Sequence, residues 1–296
     1  MKTRPDTTPT ENSERREPAI GNRLEVDLQE RPNRGAAVIT GGGTGLGFAV
    51  ARELAARGYP VVLASRSLEH LEPAAEELRA EGARAEAVAC DVRDRGAVTH
   101  LFERTEAAFT RVDVLVNNAA GNFIVRAEDL SAGGWEAVRS IVLDGTWNCS
   151  QEAGRRMQDH GGSILNVIAS YAWTGASGVV HSASAKGGVL AMTRSLAQEW
   201  GPFRIRVNAL SPGIMVTENA ARNLGYADPA VQQRLARHVP FGRLATVEEV
   251  ALLAADLASD RYPYVTGDCW TIDGGLWLAG FPNLRRALEE IETRNE

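Results

Sequence analysis

The sequence predicts a doubly wound α/β domain built on a parallel sheet, and three observations carry that expectation. Short runs rich in Val, Ile and Leu recur from residue 35 onward, separated by longer stretches with helical periodicity. Those runs are continuously apolar rather than alternating, which marks strands covered on both faces. A glycine-rich turn lies between the first run and the first helical stretch, the place where such folds hold a phosphate.

The strand runs are 36–40, 60–65, 84–90, 112–117, 163–169, 204–210 and 268–272. Between them, 45–58, 67–81, 94–109, 133–159, 181–200 and 246–258 read as helices. In 67–81, Leu68, Leu71, Ala75 and Leu78 mark one face while Glu and Arg fill the other. Right-handed crossovers between parallel strands then give one Rossmann-type domain over 34–296. Residues 213–240 interrupt the alternation with Gly213, Gly225, Pro229 and Pro240, which predicts a small lid region after strand six. Residues 1–33 have no apolar periodicity and read as a flexible N-terminal extension. The tail 283–295 reads as a short amphipathic helix through Leu284, Leu288 and Ile291.

Composition narrows the function classes. The 296 residues are 44% apolar and 24% charged, as in ordinary soluble domains, and the net charge of −6 argues against a nucleic-acid protein. The six tryptophans form no base-stacking series. No apolar run reaches 18 residues, so no membrane span is expected. Cys90, Cys149 and Cys269 are widely spaced with no CxxC, which disfavours a disulfide framework and leaves no metal site to expect. A cytoplasmic home is the simplest reading: the N-terminus has no apolar signal core, and Asp6, Glu11, Glu14, Glu17 and Glu25 disfavour an organelle presequence.

The glycine turn runs Thr40, Gly41, Gly42, Gly43, Thr44, Gly45, Leu46, Gly47 in a strand–turn–helix context. Its backbone can approach a pyrophosphate whose charge sits at the helix N-terminus. Where an NAD site places an acid at the end of strand two, this chain has Ser65 and Arg66. A guanidinium there can grip a 2′-phosphate bidentately, so NADP(H) is the expected cofactor. Asp91 and Val92 end strand three beside the adenine, and Asn118, Ala119 and Ala120 end strand four as a second close approach. Pro212, Gly213, Ile214 and Met215 follow strand six.

Of 32 basic residues, 30 are Arg, and the only lysines are Lys2 and Lys186. Lys186 is therefore a candidate for a role that a guanidinium cannot fill. Together, TGGGTGLG, NNAAG and the helix carrying Lys186 resemble the short-chain dehydrogenase/reductase family over residues 35 to about 278. In most members a Tyr stands four residues before the Lys, with a Ser 13 residues before that Tyr. Here those positions hold Ser182 and Ala169, so the usual proton donor is absent. A phenol stands elsewhere, at Tyr171, which the pattern places at the carboxyl end of strand five.

A displaced Tyr with Ser182 and Lys186 resembles the NADPH-dependent 2,4-dienoyl-CoA reductase branch. So do the local runs NAAGNF (118–123), IVLDGT (141–146), SASAK (182–186) and SLAQEW (195–200). The resemblance implies that Tyr171 and Asn122 hold a thioester carbonyl and that Lys186 holds the nicotinamide ribose, with Ser182 in the same network. It also implies that Pro212 to Met215 lie along the nicotinamide. Arg93, Phe123, Ser131 and Arg222 are implied substrate contacts, the substrate is an acyl-CoA thioester, the product is a 3-enoyl-CoA, and the assembly is a homotetramer. Two other readings stay open: another acyl-thioester or enone reductase (trans-2-enoyl-CoA or 3-oxoacyl), and a non-catalytic NADP-binding protein. Asp144 stands near a position where relatives carry Asn or similar residues, and His181 is expected to begin its helix and point away from the site.

Overall fold

The computed structural model describes residues 34–279, except the side chains of residues 219, 222, 223 and 279. The extension 1–33 and the tail 283–295 lie outside the described residues. All the described residues fall within a single compact unit.

Seven strands form one parallel sheet: β1 (Ala36–Thr40), β2 (Val61–Ser65), β3 (Ala85–Ala89), β4 (Val112–Asn117), β5 (Gly162–Val167), β6 (Ile205–Pro212) and β7 (Cys269–Ile272). Their order across the sheet is β3-β2-β1-β4-β5-β6-β7. The path runs outward in one direction from β1 and in the other from β4. The crevice at the carboxyl ends of that pair is where folds of this type bind ligands. The helices are α1 (Gly45–Ala56), α2 (Leu68–Ala80), α3 (Arg95–Phe109), α4 (Ala132–Arg139), α5 (Gly145–Met157), α6 (Tyr171–Thr174), α7 (Val180–Trp200), α8 (Glu218–Leu224), α9 (Pro229–Ala236), α10 (Val247–Ala258) and α11 (Leu276–Ala279).

The pleat sorts each apolar strand between two cores. Ala37 and Ile39 of β1 face a layer with α1, α2 and α10, through Val50, Leu54, Leu71, Leu78, Val250 and Ala254. Ala36 and Val38 face the opposite layer, with α3, α5 and α7, through Leu101, Phe102, Cys149, Met157 and Trp200. A period of two along a strand thus feeds helices on both sides, so an uninterrupted apolar run is what the position demands. The expected strands and helices all form, with ends moved by a few residues.

Two differences matter for the site. The expected helix 133–159 is divided by a π-helical turn at Ser140–Asp144, between α4 and α5. The widened turn seats Leu143 against Gly188 of α7, where an added Cβ would stand 3.0 Å from a Leu143 methyl. Strand five also stops at Val167, so Tyr171 does not end that strand; it opens α6, four residues later. Residues 213–240 fold as α8 and α9 around their own small core of Ile214, Tyr226, Val231, Leu235 and Val239, against which Tyr171 packs.

A buried polar chain ties the sheet to the helices beneath the site. Asn117 Nδ2 donates to Ser150 Oγ at 3.0 Å and to Asn166 Oδ1 at 2.9 Å. Asn166 Nδ2 donates to Thr193 Oγ1 at 2.9 Å, and that hydroxyl donates to the Val189 carbonyl at 2.8 Å. The chain crosses β4, β5, α5 and α7. Replacing Asn166 by Leu leaves buried partners unpaired, so Asn166→Leu is expected to lose about 1–3 kcal/mol in urea unfolding. An unchanged midpoint and slope would contradict a structural role for this chain.

Candidate active site

The carboxyl ends of β1 and β4 are locked together by Thr40 and Asn118. The buried Thr40 Oγ1 accepts from the backbone N–H groups of Asn118 and Ala119, both at 3.0 Å. Asn118 Nδ2 returns bonds to the carbonyls of Thr40 at 3.0 Å and Gly41 at 3.2 Å. Both side chains, expected as cofactor contacts, act here on the glycine loop. Gly41 (φ 65°) and Gly45 (φ 53°) adopt the left-handed region that this loop requires. At Gly47 a Cβ would run into the Gly41 carbonyl oxygen and stand 2.6 Å from Asn118 Nδ2. The first backbone bond into α1 is Phe48 N–H to the Thr44 carbonyl, which leaves the N–H groups of Gly45, Leu46 and Gly47 ahead of the helical ladder. A close-packed glycine loop that ends in these N–H groups at a helix N-terminus fits a dinucleotide pyrophosphate.

At the ends of β2 and β3, hydrogen bonds and charge from Arg93 hold the Asp91 carboxylate below its usual range, and the exposed Arg66 adds the smallest contribution. Arg93 grips Asp91 in a fork, Nε to Oδ1 at 2.9 Å and Nη2 to Oδ2 at 2.6 Å. Arg93, expected on the substrate, is thus engaged with Asp91 at the carboxyl end of β3. Ser65 Oγ donates to the Ser67 carbonyl at 3.1 Å.

Beyond β5, Tyr171 Oη and Ser182 Oγ share a hydrogen bond of 3.0 Å. Burial pushes the Tyr171 phenol above its ordinary value, and the Ser182 bond opposes that only in part. At neutral pH the phenol is therefore a proton-bearing donor. Lys186 stands one turn after Ser182 on α7, is buried, and donates Nζ to the Val167 carbonyl at the end of β5. Burial pushes its pKa down to about 8. Asn122, in the loop after β4, accepts the Phe123 N–H on Oδ1 at 3.0 Å. That bond fixes the amide and leaves its NH₂ as the available end.

The other residues singled out in the sequence have the following local partners. Ser131 caps α4, its Oγ accepting the Gly134 N–H at 3.0 Å. Arg222 lies on α8 and its side chain is outside the described set. Asp144 pairs with Arg139 at 2.5 Å and is partly exposed. Gly213 approaches β7 closely: its N–H reaches the Ile272 carbonyl at 2.8 Å, and a Cβ would stand 2.8 Å from Asp273 Cα. Pro212 ends β6, Ile214 is buried and Met215 bridges to Ala245. Contrary to expectation, His181 is buried, with its ring on Phe123. Sequence reasoning also missed Tyr226, a buried phenol pushed up by burial and, to a lesser degree, by the nearby Tyr171. Its signal was a lone aromatic after Gly225 in an otherwise irregular stretch. Among the described residues no group of His, Cys, Asp and Glu could hold a metal ion, and no helix is long and apolar enough to cross a membrane.

With this geometry in place, the matches to known proteins are specific. The family model described as Enoyl-(Acyl carrier protein) reductase matches residues 41–277. The structure is similar to a short chain dehydrogenase from Bacillus anthracis str. 'Ames Ancestor', with TM-score 0.75 and 43% identity over 84% of this chain and 98% of that one. The chain belongs to the short-chain dehydrogenase/reductase family. Within that family it is 46% identical to a Bacillus subtilis (strain 168) protein named "Probable 2,4-dienoyl-CoA reductase [(2E)-enoyl-CoA-producing]", over 83% of this chain and 98% of that protein. It is 39% identical to the "Peroxisomal 2,4-dienoyl-CoA reductase [(3E)-enoyl-CoA-producing]" of Danio rerio, over 88% and 87%. A gluconate 5-dehydrogenase from Burkholderia cenocepacia J2315, solved with NADP and tartrate, gives TM-score 0.78 and 31% identity over 82% of this chain and 95% of that one. As a short-chain reductase the chain takes a nicotinamide cofactor, consistent with the glycine cradle.

Lys186 yields a stability prediction. Its pKa falls from an unfolded value of 10.5 to about 8, so the folded apo-protein binds fewer protons than the unfolded chain between those pH values. Stability must rise with pH across that window, and below it the buried ammonium costs roughly 3 kcal/mol. Apo Lys186→Met is expected to melt above the wild type at pH 7, and the gap should narrow as pH rises toward 10.5. A gap independent of pH would contradict the buried charge.

Proposed function

We infer that this short-chain reductase is an NADPH-dependent oxidoreductase that reduces the conjugated diene of 2,4-dienoyl-CoA thioesters, a step in unsaturated fatty acid degradation. The observation that carries the reading is the Tyr171–Ser182 hydrogen bond, one turn before Lys186, in a site that lacks the usual tyrosine. The names of its relatives support the same substrate class.

When bound, the reduced nicotinamide supplies the hydride, which adds to C5 of the diene. Negative charge then moves through the conjugated system to the thioester oxygen. Tyr171 Oη and Asn122 Nδ2 donate to that oxygen as an oxyanion hole, stronger for the charged form than for the ground-state carbonyl. Lys186 holds the nicotinamide ribose, and its ammonium, costly while buried alone, is favoured beside developing negative charge. Ser182 keeps the phenol aimed. Tyr171, or a water it orients, returns a proton to carbon. Protonation at C2 gives the 3-enoyl product and at C4 the 2-enoyl product. An acid that also holds the thioester oxygen stands nearer C2 than C4, so we assign the 3-enoyl-CoA.

Thr40, Gly41, Gly43, Thr44, Gly45, Leu46 and Gly47 form the pyrophosphate cradle, directly or through the Thr40–Asn118 lock. Ser65 and Arg66 take the 2′-phosphate, with Asp91 and Val92 at the adenine. Asn118, Ala119, Ala120 and Pro212 to Met215 flank the nicotinamide half. Phe123 supports the acyl end, Arg93 and Arg222 suit the CoA phosphates, and Ser131 bears on the substrate through α4. Residues 213–240 act as the lid of a single domain over 34–296 that follows the 1–33 extension. The enzyme works in the cytoplasm as a homotetramer.

The test is NADPH oxidation with trans-2,trans-4-hexadienoyl-CoA beside acetoacetyl-CoA and crotonyl-CoA. Turnover on the dienoyl thioester alone is expected, with kcat lowered about 10²–10³-fold in Tyr171→Phe. Turnover on acetoacetyl-CoA indifferent to Tyr171 would overturn the reading. NMR of the product distinguishes the 3-enoyl from the 2-enoyl isomer. Arg66→Ala is expected to weaken NADPH binding by about 10–100-fold in fluorescence titration and to spare NADH; equal losses would refute the 2′-phosphate contact.

A further inference from the structure

His181 is 1% exposed at the start of α7, and among the described residues neither ring nitrogen has a hydrogen-bond partner. The mechanism above gives it no task, yet it stands between the two arms of the oxyanion hole. Its ring lies on Phe123 with centroids 4.4 Å apart and planes tilted by 60°. The far edge of the Phe123 ring lies over Gly134 of α4, where an added Cβ would stand 3.0 Å from Cζ. The Phe123 N–H fixes Asn122 Oδ1 at 3.0 Å. On its other side His181 is followed directly by Ser182, whose hydroxyl bonds Tyr171 at 3.0 Å.

We propose that His181 is a positioning residue: its ring serves as a flat wedge that holds Phe123, and through it the Asn122 amide, in register with the Tyr171–Ser182 pair. This rests on the oxyanion-hole reading for its catalytic consequence, though the wedge itself is a statement about packing. The ring's surface is what matters here, and its nitrogens are spectators. With no partner among the described residues to give or take a proton, the imidazole lies on no relay they form to the reacting atoms. Burial also pushes its pKa below the ordinary histidine value, so the neutral form prevails at pH 7. A ring of similar breadth without nitrogens should therefore replace it, whereas truncation frees Phe123 and lets Asn122 drift. Misplacement by about 1 Å can cost on the order of 10²-fold in rate.

The experiment compares His181→Phe with His181→Ala in the full-length enzyme, after the wild type has been assayed on hexadienoyl-CoA. His181→Ala should lower kcat about 10–100-fold with the KM for NADPH unchanged. His181→Phe should stay within about threefold of the wild type, with the same pH profile. In a Phe123→Ala background, His181→Ala should cost nothing further, because the wedge would have nothing to hold. A His181→Phe as slow as His181→Ala, a His181→Ala as fast as the wild type, or additive losses in the double variant would each overturn the proposal. If the wild type leaves hexadienoyl-CoA untouched, the substrate reading fails, and crystal structures of the two variants still decide the wedge. Asn122 displaced by about 1 Å in His181→Ala and unmoved in His181→Phe supports it, and Asn122 unmoved in both overturns it.

Discussion

The junction between the carboxyl ends of β1 and β4 depends on one hydroxyl. Thr40 Oγ1 takes two backbone N–H groups from the turn after β4, and Asn118 hands two bonds back to the end of β1. The lock sits where the strand order turns from β1 to β4, the point at which a doubly wound sheet opens a crevice. The glycine loop leaves it in one direction and the Asn122 arm in the other. The glycine loop and the proposed oxyanion donor Asn122 are thereby referenced to the same two residues. The arrangement is stiff because the threonine oxygen uses both acceptor sites and the asparagine amide both donors.

The second arm is built differently. Tyr171 has left the strand and stands on a single helical turn, packed against the small core of α8 and α9. Its hydroxyl is aimed by Ser182, which occupies the place where the family usually has its tyrosine. The serine is too weak an acid to replace a phenol, but it is short enough to let a phenol from elsewhere reach the same space. Lys186 completes the site at a cost to the apo-protein, since its buried ammonium is disfavoured until negative charge arrives. Such conflicts between stability and local chemistry are expected at active sites.

Much of this was legible in the sequence, and the unread parts have physical causes. Ala36 to Thr40 and Val61 to Ser65 declared themselves because a strand buried on both faces has no polar positions to disguise it. Arg66 stands out through what it replaces at the end of β2, and Lys186 because, Lys2 apart, the chain uses arginine throughout. The π-helical turn at Ser140–Asp144 left no trace, since its residues suit an α-helix equally well; in the fold the turn packs Leu143 on Gly188 of α7. The end of β5 at Val167 is masked because Ile168, which still donates its N–H to the Leu210 carbonyl, and Ala169 remain apolar. Arg93 and Ser131 satisfy near neighbours, Asp91 and Gly134, that a motif comparison does not weigh. His181 was taken to face away because periodicity says which residues share a helical face and is silent on what a facing loop will present to them.

The central claim is that the Asn122 and Tyr171 arms converge on one oxygen. A crystal structure with NADP and an unreactive thioester such as hexanoyl-CoA tests it most directly. The account predicts Tyr171 Oη and Asn122 Nδ2 each within about 3.2 Å of the thioester oxygen. A thioester oxygen held by other groups, with either donor beyond hydrogen-bond reach, would contradict it.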